Sequence, residues 1–138
     1  MKRIFFAILL AAACSTKVNA QSTEKVAENA PEITFSSTEY DYGVVAVNSD
    51  GTRKFEFTNT GKQPLILSNV SASCGCTVVE WAKDPVKPGE KGTITVKYNT
   101  AIVGTFQKSI RVFSNAKTSP VMLVIKGEVK PNEPAPHQ

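Results

Sequence analysis

The chain has 138 residues, enough to bury one core and too few for two comfortable domains. Three units of its formal charge of +4 lie in the first twenty residues: Lys2, Arg3 and Lys17 are three of the 16 basic side chains, and all 12 acidic ones lie later. Without that segment 13 basic residues face 12 acidic ones, and no basic block or aromatic-interleaved patch remains, so nucleic acid is excluded as a partner.

The first segment reads as an export leader, and the protein is expected in the periplasm or outside the cell. Lys2 and Arg3 precede the apolar run Ile4 to Ala13, whose ten residues are too short to span a bilayer as a helix. No transmembrane span is expected. Val18-Asn19-Ala20 places small residues at the positions a signal peptidase reads, which predicts a signal peptide over residues 1–20. Ala11-Ala12-Ala13-Cys14 offers an alternative, a relaxed lipobox whose Cys14 would carry a lipid anchor to the envelope. Residues 21–30 are polar and charged and read as a flexible spacer. Residues 130–138, with Pro131, Pro134 and Pro136, read as a disordered proline-rich tail.

Between them, residues 31–129 carry short β patterns. Ile33 to Phe35 predicts an edge strand, and Tyr42 to Val47 a second. Asn48-Ser49-Asp50-Gly51 predicts a hairpin-like reversal into Arg53 to Thr58. That strand alternates, with Phe55 and Phe57 on one face and Lys54, Glu56 and Thr58 on the other. Asn59 to Lys62 reads as a turn. Leu65 to Val70 and Thr77 to Trp81 flank a cysteine turn, and Asp84 to Gly92 is a proline- and glycine-rich loop. Thr93 to Tyr98, Gly104 to Phe113 and Pro120 to Val129 complete the set, with Lys108 interrupting the apolar face of its strand. No helical stripe is present. About seven strands in this span predict an all-β fold, a two-sheet sandwich, with a small barrel as the alternative. The expected core is Phe55, Phe57, Ile94, Val96, Ile110, Val112, Leu123 and Ile125.

Chemistry concentrates at Ser73-Cys74-Gly75-Cys76-Thr77. In an oxidising compartment Cys74 and Cys76 form an even pair, whichever fate Cys14 meets. One reading is a local disulfide, with Gly75 easing the bend; so small a ring removes little entropy from the unfolded chain. A second is a soft-metal site, in which the two thiolates hold Cu(I). A monomeric zinc site lacks ligands, because the single histidine, His137, lies in the tail. The third is a pair of small thiols packed at a sandwich rim. The spacing is one residue short of a thioredoxin-like dithiol.

No histidine stands near a serine or cysteine as a base, the carboxylates are scattered, and the glycines fall singly, so neither catalysis nor a cofactor is expected. Trp81, Asp84, Lys87 and Glu90 are the candidate binding surface, for an envelope protein or a glycan; nothing in the sequence sets the oligomeric state. Tyr40 and Tyr42 read as packing residues around a turn.

Residues Phe35 to Val129 resemble the bacterial domain of unknown function 1573, common in secreted proteins of Bacteroidetes. The resemblance rests on Tyr42-Gly43, Phe55 to Gly61, Pro64-Leu65, Ser73 to Thr77, Pro88-Gly89 and Ile125 to Val129. It implies an immunoglobulin-like β-sandwich, similar to major sperm protein and the ASPM–SPD-2–Hydin modules, and so an interaction or structural module. It implies no activity for Cys74 or Cys76. The reading that follows is an exported non-catalytic envelope module, with a thiol-redox or Cu(I)-binding protein as the alternative.

Overall fold

A computed structural model describes residues 28–132. Eight strands form two four-stranded sheets: β1 (Ile33–Phe35), β2 (Glu39–Ala46), β3 (Thr52–Asn59), β4 (Leu67–Ala72), β5 (Thr77–Trp81), β6 (Lys91–Tyr98), β7 (Gly104–Ser114) and β8 (Val121–Lys130). The strand order is β1-β3-β6-β5 in the first sheet and β2-β8-β7-β4 in the second. This is the immunoglobulin-like sandwich; its eight strands fall on the eight β segments of the sequence, one more than the expected total of about seven.

Alternation explains the layers. In β3, Phe55 and Phe57 point inward while Lys54 and Glu56 face water; in β6, Ile94, Val96 and Tyr98 do the same. All eight residues expected in the core are at most 3% exposed. Leu65, Val70, Phe106 and Val129 join them, and Tyr98 stacks on Phe106 across the two layers at 3.8 Å between ring centroids. Lys108 is half-buried on its strand's inward phase, opposite Ile125.

The reversal at Asn48 to Gly51 is not a hairpin. β2 and β3 lie in different sheets, and β2 runs parallel to β8 with a register shift between Asp41 and Val44. The turn carries the chain from one layer to the other, and its left-handed residue is Asn48, at φ 61°, rather than Gly51. Gly51 is needed for a different reason: a Cβ there would sit 2.1 Å from the Tyr98 carbonyl oxygen. β2 also begins at Glu39, three residues earlier than its apolar pattern, because pairing with β8 recruits Glu39 to Asp41.

Of the connections, only β5–β6 and β7–β8 join neighbours within a sheet. The chain crosses between layers at all the others, among them the link from β4 to β5. Each of those strands is the edge of its own sheet, so the cysteine turn closes one side of the sandwich.

Candidate functional site

The cysteine turn is a bridge between two facing edges. Cys74 and Cys76 are joined as a disulfide, with Cα atoms 5.4 Å apart, inside the ordinary range. Both residues are half-buried. In this bonded form neither sulfur is a thiolate, and a metal finds no ligand there. Backbone groups hold the turn on both sides. Ser73 N–H donates to Ser109 O at 2.9 Å, Ser109 N–H to Ser73 Oγ at 3.3 Å, and Asn99 N–H to Cys76 O at 2.9 Å. Cys76 packs against the core beside the buried Thr77, whose Oγ1 lies 3.9 Å from the Cys76 sulfur. Gly75 does not take a left-handed conformation, and a Cβ built there meets nothing within 4 Å, so the turn does not require glycine for space. Beside the turn a shallow depression of about 290 Å³ is lined by Ser71, Ala72, Ser73, Ser109 and Arg111.

The same end of the sandwich holds an aromatic and cationic cluster. Tyr42 donates its hydroxyl to Gly51 O at 2.7 Å, and the Arg53 guanidinium lies over the Tyr42 ring at 4.5 Å and the Tyr40 ring at 5.3 Å. Burial pushes the Tyr42 phenol up to about 12, although the Arg53 charge works against it. Asp50 is held below the ordinary carboxylate value, first by hydrogen bonding from Thr52.

The candidate binding residues lie at the opposite end. Strand β5 leaves the cysteine turn at Thr77 and reaches Trp81 after four steps, about 13 Å of extended chain. Trp81 is half-buried against the core; its indole N–H points to Leu67 O at 3.4 Å and Lys83 Nζ lies 3.0 Å from its ring centroid. Asp84, Lys87 and Glu90 are exposed on the following loop. Glu90 closes that loop on itself: Lys87 N–H donates to Glu90 Oε2 at 3.3 Å, and Glu90 N–H to Lys87 O at 3.0 Å. The structure therefore separates the cysteine turn from the loop residues rather than gathering them into one surface.

Asn59 organises this second end. It is fully buried. Its Nδ2 donates to Gln63 O at 2.8 Å and to Val86 O at 2.9 Å, and its Oδ1 accepts from Gly61 N–H at 3.0 Å. Its backbone adds two more links, donating to Glu90 O and accepting from Gly89 N–H. Leu65 and Val86 exchange a pair of backbone bonds beside it. One amide thus fixes both the turn after β3 and the loop before β6. A signal for this was present: Asn59 continues the inward phase of Phe55 and Phe57, where a polar side chain needs partners.

Cys14 and the leader, the spacer up to residue 27, and His137 with residues 133–138 lie outside the described residues. Among the described residues no three His, Cys, Asp or Glu side chains converge as a metal site, and no helix is long and apolar enough to cross a membrane.

Residues 33–129 match the family described as "Protein of unknown function (DUF1573)". The chain belongs to this family. The match runs from the first strand to the penultimate residue of the last, so the DUF1573 unit and the sandwich coincide. No curated protein matches the chain. Among solved structures it is similar to a protein of unknown function from Porphyromonas gingivalis W83, with TM-score 0.66 and 18% identity over 74% of this chain and 48% of that one. It is similar to the ASH / PapD-like domain 7 of human CEP192, with TM-score 0.64 and 6% identity over 96% of this chain and 100% of that one. It is also similar to the Vibrio cholerae VesB protease, with TM-score 0.61 and 12% identity over 70% of this chain and 32% of that one. At these identities the likeness is one of fold. The DUF1573 chain spans about half the length of the Porphyromonas protein and about a third of the protease.

Proposed function

We propose that this protein is an exported, non-catalytic interaction module of the bacterial cell envelope, binding an envelope protein or glycan through the loop from Asp84 to Glu90. The observation that carries this is the way the loop is held. It is exposed, yet Asn59, Leu65 and its own Glu90 fix its backbone at several points. A surface ordered before binding loses little entropy on association. Lys87 and Asp84 supply opposite charges on that fixed frame. The leader pattern supports export, and the fold is shared with a PapD-like domain, which suits a binding module by analogy.

A photo-crosslinking amino acid placed at Lys87, with one at Lys97 on β6 as control, tests the reading in envelope preparations. A discrete adduct at position 87, lost when Asp84 is changed to Ala, is the expected result. Equal labelling from both positions would remove the loop assignment. The bonded cysteines favour a second reading, in which the turn exchanges thiols with a redox partner.

A further inference from the structure

We propose that the Cys74–Cys76 disulfide is a polar exchange site for a dithiol protein: Cys74 is the sulfur attacked and Cys76 the one released. This rests on the second reading above and gives it a direction. A ring closed across a single residue adds little stability, and the turn is already held by bonds from Ser73, Asn99 and Ser109 that involve no sulfur. The bond can therefore open and close while the backbone around it stays in place. Both cysteines are only partly buried, on a rim turn, and in this proposal an incoming thiolate reaches the bond there.

The two sulfurs are not equivalent. Cys76 packs against the core, next to the buried Thr77 hydroxyl, while Cys74 is not among the residues packed on the core. A thiolate of a reduced dithiol partner attacks Cys74 Sγ. The Sγ–Sγ bond breaks, its electron pair leaves on Cys76, and the Thr77 hydroxyl donates to the thiolate that forms. The partner's second thiolate then attacks its own sulfur in the mixed disulfide and releases Cys74. Two electrons have passed to the cysteine pair, which takes up two protons from water, and the partner departs as a disulfide. An oxidised partner runs the same steps backwards.

The experiment uses the mature protein, with dithiothreitol and oxidised glutathione as probes and intact mass as the readout. Reduction of the native disulfide by dithiothreitol is expected at a rate within about tenfold of that in denaturant, because access is not limiting. A native bond that yields only after unfolding would overturn the exchange reading itself. In the direction test, Cys76→Ser, which leaves Cys74 free, should form the glutathione mixed disulfide about tenfold faster than Cys74→Ser, as the more accessible thiol. Equal or inverted rates would overturn the polarity and leave exchange standing. Thr77→Val should slow reduction of the native bond several-fold, and Thr77→Ser, which keeps the hydroxyl, should restore it; equal rates in all three proteins would remove the leaving-group role of Thr77.

Discussion

The two ends of the sandwich are fastened by opposite means. At one, a covalent bond spans three residues of a turn, from Cys74 to Cys76. At the other, a single buried amide, Asn59, joins segments up to 27 residues apart in sequence. The covalent link is the stronger bond and the weaker fastener. A disulfide stabilises by restricting the unfolded chain, and a three-residue loop is hardly restricted by being closed. Asn59 works in the native state, where each of its partners would otherwise be a polar group cut off from water.

That contrast sets an order of expected effects. Phe57→Ala provides the scale, because it empties the core between the ends and should cost about 3–5 kcal/mol in urea unfolding. Near-native stability in this variant would mean the inner face is misassigned. Asn59→Ala should come next, at about 2–4 kcal/mol, since it strands the Gln63 carbonyl and Gly61 N–H and removes one bond to Val86. Its cost should appear as faster amide hydrogen exchange at residues 60–65 and 84–90. Uniform exchange across the molecule would break the picture of a local fastener.

The cysteine end can be loosened by pH instead. The Tyr42 phenol is raised to about 12 in the folded protein against 10 unfolded, so its stabilising contribution is fully present below pH 10. It is lost progressively as pH rises from 10 through 12. Tyr98, also raised by burial, adds a loss of the same sign. Tyr42→Phe should flatten stability against pH across that window, although the loss of its bond to Gly51 lowers the plateau by about 1 kcal/mol. An unchanged alkaline transition in this variant would assign the effect elsewhere.

The disulfide should matter less than the Asn59 amide. Cys74→Ser with Cys76→Ser is expected to cost about 1–2 kcal/mol, less than Asn59→Ala. If the double variant proved the more destabilised, the comparison between the ends would be reversed. Gly75→Ala should be close to neutral in the same assay, because no atom occupies the space its methyl would enter.

The candidate site was legible in unequal parts. The cysteine turn stands out in the sequence, because two thiols one residue apart behind a leader-like segment leave few readings. Asp84, Lys87 and Glu90 were legible as loop residues, but not the rigidity of their loop. Asn59 reads as the start of a turn, and only its phase with Phe55 and Phe57 hints that it is buried. Trp81 is recognisable as an aromatic at a strand end; that its N–H reaches the opposite sheet is not.

Alternation of side chains along a pleated strand is a local property, so the sequence by itself determined roughly where the strands run, which face of the alternating ones such as β3 is buried, and that the fold is all-β. Which strands become neighbours was decided only in three dimensions. The Asn48–Gly51 turn joins two sheets instead of two partners, and β2 finds β8 more than eighty residues later in the chain. Asn59 likewise meets Val86 only once β3, β5 and β6 have assembled around it. Pairing and buried hydrogen bonds depend on groups brought together by packing, and no pattern within one segment encodes them.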